Sequence, residues 1–303
     1  MQKNNLPQEQ PQDSMIKVKN NQPYTENNFF DEIYLEEKDY NTLCALVEYK
    51  KNIILQGAPG VGKTFIAKRL AWAIMGEKNE ERILTVQFHQ SYAYEDFIMG
   101  YRPTEKGFEL KTGAFYDFCK KAEENRNHKY FCLIDEINRG NMSKIFGELF
   151  MLIESDKRGE KLQLLYRNEL FSIPENLYII GTMNTADRSL AMLDYALRRR
   201  FAFFELQPAF ENEKFKAYYQ QLGNTKLNDL IEKINKELNT KISEDDTLGK
   251  DFVIGHSYFC NLKSSDLDNN KLNHIVDYEL IPMLKEYWFD EPSKVDEWRN
   301  KLK

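Results

Sequence analysis

Residues 57–64 read GAPGVGKT, and the reading of these eight positions decides the fold. The stretch matches G-x-x-x-x-G-K-[ST] throughout. An apolar run, KNIILQ (51–56), precedes it, and KTFIAKRLAWAIM (63–75), with apolar residues at helical spacing, follows. A strand that breaks at glycines and restarts as a helix lets successive N–H groups face one phosphate, aided by the positive helix end. Gly57, Ala58, Pro59, Gly60, Val61 and Gly62 are the predicted cradle. Lys63 is expected to reach the β- and γ-phosphates, and Thr64 to place its hydroxyl on Mg²⁺.

The partner of such a loop is an apolar strand ending in carboxylates. YFCLI (130–134) runs into Asp135-Glu136, at the sheet edge where doubly wound folds bind ligands. Asp135 is expected to hold Mg²⁺ through water, and Glu136 to orient or deprotonate the attacking water.

Around these motifs strands and helices alternate. RILTVQF (82–88), LYII (177–180) and FAFFEL (201–206) read as further strands; 114–123 and the amphipathic stretch 142–154 read as helices. The alternation implies an α/β fold, a mostly parallel sheet flanked by helices. Residues 99–111 and 162–173 interrupt it as hairpins or loops. Residues 1–28, rich in Gln, Asn and Pro, read as a disordered tail or linker; 29–207 form the α/β nucleotide-binding domain, and 208–303, in Lys- and Glu-rich helical segments, a small all-helical lid.

Composition narrows the class. With 42% apolar and 13% aromatic residues, the 303-residue chain has ample material for a core. The 42 basic and 48 acidic residues give a net charge of −6, which argues against an obvious DNA binder. Cys44, Cys119, Cys132 and Cys260 show no C-x-x-C pairing, so neither a zinc site nor a disulfide framework is suggested, as suits a reducing cytoplasm. No run approaches a bilayer span and no signal peptide is evident, so no membrane association is expected.

Asn184-Thr185-Ala186-Asp187 is similar to the guanine-reading N-K-x-D of small GTPases, but Thr185 stands where their lysine packs along the base. Asp156-Lys157-Arg158-Gly159 imitates their D-x-x-G yet follows a helix rather than a strand. Asn184 is therefore read as a strand-end sensor aimed at the water that attacks the γ-phosphate. Arg198-Arg199-Arg200 then precede the last apolar strand, in a segment resembling the D-x-A-L-x-R-R-F of AAA+ ATPases, which carries an arginine finger.

Taken together, GAPGVGKTFIAKRLA, VQFHQSYAYEDFIMGYRP, IDEINRGNMSKIFGELF, GTMNTADRSLAMLDYALRRRF and IGHSYF resemble the McrB family, the AAA+ GTPase subunits of modified-cytosine restriction systems. The resemblance runs from about residue 29 to the C-terminus, and M-N-T-x-D-R-S is its most specific part. It implies GTP rather than ATP, Mg²⁺, a hexameric ring, and a McrC-type partner that stimulates hydrolysis and carries the nuclease. It makes Asn184 and Asp187 the polar residues of M-N-T-x-D, and Arg199 and Arg200 the trans-acting arginines, buttressed by Arg188 and Asp194. His256, in IGHSYF, stands where other AAA+ proteins present a lid residue to the nucleotide, although such a turn can equally cap a helix.

Family members commonly carry an N-terminal reader of methylated DNA; here about 28 polar residues precede the motor, so DNA is expected to be engaged indirectly, through the complex or another chain. The competing readings are an ATP-dependent remodeller of the MoxR or dynein-like kind, and a nucleotide-binding assembly subunit with little hydrolysis. Arg139 reads as an intersubunit contact or a plain surface arginine, and the aromatic-rich loop 89–97 as packing ahead of a pore or partner contact.

Overall fold

The computed structural model describes residues 22–187 and 195–303. Its centre is a five-stranded parallel sheet of β1 (Asn52–Gly57), β2 (Ile83–Gln87), β3 (Tyr130–Asp135), β4 (Leu177–Asn184) and β5 (Ala202–Glu205), in the order β5-β1-β4-β3-β2. Register sets the site: Asn184 at the end of β4 lies opposite Gly57, and Gln87 at the end of β2 lies opposite Asp135.

Side chains alternate between two buried faces, the pattern expected of strands covered on both sides. Ile53, Leu55, Phe131 and Leu133 join the core beneath α1 (Glu26–Glu32), α2 (Glu37–Lys50) and α3 (Lys63–Met75). Ile54, Cys132 and Ile134 face the opposite core, with α4 (Ala114–Glu124) and α5 (Met142–Phe146). From Phe210 to Leu302 a separate all-helical core follows, built on Phe215, Leu238, Ile281 and Trp288.

Two expectations change. The helix predicted over 142–154 stops at Phe146, because Gly147 turns left-handed (φ 53°) and the Tyr94 ring lies 2.9 Å from where a Cβ would stand. A 3-10 turn, Gly147–Phe150, continues it, so Ile145, Leu149, Leu152 and Ile153 are still all buried. The stretch read as a tail to residue 28 is structured from Gln22: Gln22–Pro23 pairs with Glu77–Lys78, Thr25 and Asn28 form a capping box on α1, and Tyr24 is fully buried against Trp72, ring centroids 5.5 Å apart. Local composition hid this, because the burial comes from α3, far along the chain. Both insertions are hairpins, Met99–Thr104 with Gly107–Thr112 and Leu162–Gln163 with Leu170–Phe171.

Phe88, just before the aromatic loop, is fully buried and stacks on the loop's Tyr92 at 5.0 Å, which is packing. Among the described residues no helix is long and apolar enough to cross a membrane.

Tyr24→Ala removes a fully buried aromatic side chain. It should cost about 3 kcal/mol in urea unfolding; a loss under about 1 kcal/mol would make the N-terminal segment peripheral to the fold.

Candidate nucleotide site

A cleft of ≈ 270 Å³ opens at the carboxyl ends of β1, β3 and β4, lined by Gly60, Lys63, Thr64, Asp135, Glu136 and Asn184 among others. Its floor is a chain of hydroxyls and carboxylates. Thr64 Oγ1 donates to Asp135 Oδ1 at 2.8 Å, and Thr182 Oγ1 donates to the same oxygen. Thr182 Oγ1 in turn accepts from the Glu136 backbone N–H at 3.3 Å.

Glu136 is held on every side. Its backbone is left-handed (φ 51°), a conformation a non-glycine residue adopts only when its surroundings impose it. Its Oε2 accepts from Gln87 Nε2 at 3.2 Å and pairs with Arg139 Nε at 2.9 Å. Arg139 Nη2 reaches Asp187 Oδ2 at 3.2 Å. Arg139 is thus a bridge within its own chain, and Asp187 connects to the cleft through it. Lys63 Nζ donates to the carbonyls of Gly57 and Ala58, both at 2.9 Å. Burial pushes the Lys63 ammonium down to about 8, against the fields of Asp135 and Asp187.

The lid closes onto the loop through its main chain. Gly255 N–H donates to Pro59 O and Ser257 N–H to Gly60 O, both at 2.9 Å. The approach is too close for side chains: a Cβ on Gly255 would stand 2.0 Å from the Gly60 carbonyl carbon. Ser257 lines the phosphate cleft. His256 does not. It faces an adjoining, more apolar cavity of ≈ 340 Å³ with Ile33, Tyr34, Val61, Ile66 and Tyr218. Its Nδ1 accepts from Ala209 N–H at 3.1 Å, and the rings of Tyr34, Phe210 and Phe215 surround it. Burial pushes the imidazole down to about 4.

The arginines separate. Arg199 is exposed on α6 (Tyr195–Arg200). Arg200 turns inward, donating from Nε to Phe150 O at 2.8 Å and pairing with Glu154 at 3.0 Å. Its guanidinium lies 4.4 Å from the Phe150 ring centre. Of the two arginines expected to act in trans, Arg199 is exposed and Arg200 is engaged within its own chain. Arg188 and Asp194 lie outside the described residues.

Residues 52–201 match the AAA domain of the dynein-related subfamily, and residues 227–296 match the McrB alpha-helical lid domain. Over 282 residues the chain is 51% identical to the type IV methyl-directed restriction enzyme EcoKMcrB subunit of Escherichia coli (strain K12), covering 90% of this chain and 61% of that one. The chain belongs to the McrB family of AAA+ proteins. It is also 30% identical over 311 residues to the type II restriction enzyme BsuMI component YdiS of Bacillus subtilis (strain 168), covering 86% of each chain. The five-stranded parallel sheet and helical lid are the AAA+ architecture with this family's lid.

The residues missed by sequence reading are Gln87, Thr182 and the pair Gly255 and Ser257. Thr182 had a signal, since it sits two residues before Asn184 and so on the same strand face. The lid contacts had none, because they are main-chain bonds between segments far apart in sequence.

A histidine held neutral at about 4 makes folding acid-sensitive. The unfolded chain takes up its proton below about pH 6.5 and the folded chain does not, so stability is complete above about pH 6.5 and falls as the pH drops toward 4. His256→Asn keeps an acceptor for Ala209 N–H without titrating near this range. It should flatten the melting-temperature profile between pH 6.5 and 4, a component of up to about 3 kcal/mol; an unchanged slope would remove His256 as its source.

Proposed function

We propose that this chain hydrolyses a nucleoside triphosphate, GTP ahead of ATP, as the motor subunit of a McrBC-like restriction complex acting on DNA with modified cytosines. The observation that carries the reading is the convergence of Lys63, Thr64, Asp135, Glu136 and Asn184 in one cleft whose loop, strands and lid are those of the McrB family. The preference for GTP, a hexameric ring and a McrC-type nuclease partner follow from the family resemblance, and the E. coli relative's description as a methyl-directed restriction enzyme supports the DNA substrate.

In this reading the phosphate loop binds the triphosphate through its amides and Lys63. The hard oxygens of Thr64 and Asp135, 2.8 Å apart, are the groups that would hold Mg²⁺, which would supply charge neutralisation at the triphosphate. Glu136 orients or deprotonates the attacking water, and Asn184 holds that water from the neighbouring strand. Arg139 and Gln87 keep the Glu136 carboxylate aimed.

Topology supports a site shared between subunits. β5 pairs with β1 from Ala202 opposite Ile53, which puts Arg199 at the amino end of the sheet. The phosphate loop leaves the other end of β1, about five residue steps or ~16 Å away, which is farther than an arginine side chain spans. Arg199 therefore serves a neighbour's nucleotide in this reading, and Asp187 acts on its own chain's site through Arg139.

Side-by-side GTP and ATP hydrolysis, with and without a McrC-type partner, tests the assignment. Preference for ATP in both conditions would favour a remodeller. Glu136→Gln should keep nucleotide binding and lose about 10²–10⁴-fold in turnover, whereas Lys63→Ala should lose binding; parent-like turnover of the glutamine variant removes the role given to Glu136.

The intersubunit site predicts complementation. Arg199→Ala should bind GTP nearly normally and hydrolyse it poorly, and mixing it with Lys63→Ala chains should restore part of the activity in mixed rings. No recovery, with mixed rings present by native mass measurement, would exclude Arg199 as a finger.

A further inference from the structure

Beneath the sheet, at the amino end of β1, lies a buried polar cluster that the chemistry above does not use. Asn52 is 0% exposed and Arg158 only 7%. Arg158 has no carboxylate within ion-pairing distance among the described residues. Its Nη2 donates to Asn52 Oδ1 at 2.6 Å and its Nε to Ile153 O at 3.0 Å, while Nη1 is buried without a hydrogen-bond partner. A buried guanidinium satisfied only by an amide and a carbonyl is costly, and such a group calls for a role beyond filling space.

Asn52 supplies the connection. Its Nδ2 donates to Ile153 O at 2.6 Å and to Arg200 O at 3.1 Å. The Arg200 side chain grips the same segment from the other side, at Phe150 O and Glu154. The carboxyl end of α6, one residue beyond Arg199, is thus fixed to β1 by its main chain and to 150–154 by its side chain, with Arg158 locking Asn52 in the orientation that makes this possible. An exposed arginine that must meet a phosphate on another molecule needs a base that does not move, since about 1 Å of misplacement can cost roughly 10²-fold.

We propose that Asn52 and Arg158 are positioning residues for Arg199, a buried bracket that holds the finger-bearing helix for use by the neighbouring subunit. The proposal rests on the reading of Arg199 as a finger acting in trans. It separates two jobs of β1: Gly57 at one end belongs to the chain's own nucleotide, and Asn52 at the other to its neighbour's.

Mixed rings test it. Arg158→Met replaces the guanidinium with an apolar side chain. Asn52→Asp keeps the acceptor for Arg158 and loses the donor to Arg200 O, which provides a second variant should the first fold poorly. Each alone should bind a fluorescent GTP analogue within about twofold of the parent and hydrolyse GTP roughly tenfold or more slowly. Mixed with Lys63→Ala chains, whose fingers are intact, each should recover activity; mixed with Arg199→Ala chains, neither should. The reverse pattern would locate the defect in the variant's own phosphate loop and overturn the bracket, as would parent-like hydrolysis by both variants. Recovery in both mixtures or in neither also overturns it, provided the Arg199→Ala and Lys63→Ala pair recovers. If that control pair fails, the finger reading is what has failed, and the bracket falls with it.

Discussion

Two main-chain hydrogen bonds, from Gly255 to Pro59 and from Ser257 to Gly60, fix the relation between lid and phosphate loop. They take up carbonyls of the loop, so what the loop offers a ligand is amide N–H, the polarity an anion requires. They also explain why glycines face each other across this contact. Gly60 is left-handed (φ 77°), with Tyr258 2.6 Å from where its Cβ would be, and Gly255 has no room for a side chain at all. The lid is docked by its backbone, and the apolar cavity around Tyr34 and His256 exists because that docking sets its walls.

The same economy governs the hydrolytic end of the cleft. Asp135 receives two hydroxyl donors, from Thr64 and Thr182, and Thr182 also accepts the Glu136 amide. One threonine on β4 therefore fixes both Asp135, the last residue of β3, and Glu136 just beyond it. The unfavourable backbone at Glu136 is sustained by this bond together with the Gln87 and Arg139 contacts to its carboxylate. Its orientation is fixed by contacts within the chain, the arrangement that spares a reaction the cost of reorganisation.

Legibility followed range. GAPGVGKT, the apolar strands and the carboxylates at 135–136 were readable because each is a local pattern with a local cause. Asn184 was readable as a strand end, and its register opposite Gly57 places it at the cleft. What could not be read depends on distant partners. Tyr24 is buried against Trp72, which α3 brings to it, and the helix over 142–154 breaks at the positive φ of Gly147, where Tyr94 packs in the space a side chain would need. From sequence, Arg139 reads as an intersubunit contact or a surface arginine and Arg200 as a trans-acting arginine. One bridges Glu136 to Asp187 and the other ties α6 to Glu154, pairings set by tertiary placement alone. The surroundings of His256 could not be read either, since its neighbours Gly255 and Ser257 bond the loop through backbone while its ring turns toward Phe210 and Phe215.

The strand β1 connects these observations mechanically. It is the second strand in from the β5 edge, hydrogen-bonded on both sides, and its interior residues Ile53, Ile54 and Leu55 are fully buried. A strand so enclosed moves as a unit with its neighbours. Its carboxyl end carries the phosphate loop and, through Pro59 and Gly60, the lid; its amino end holds the main chain of Arg200. If Arg199 reaches a neighbouring nucleotide, the contact joins opposite ends of two sheets and is head-to-tail, so the assembly closes only as a ring. A displacement of the phosphate loop would then be carried along β1 to the arginine presented to the next subunit, and the direction of coupling around the ring would be set by the polarity of this strand.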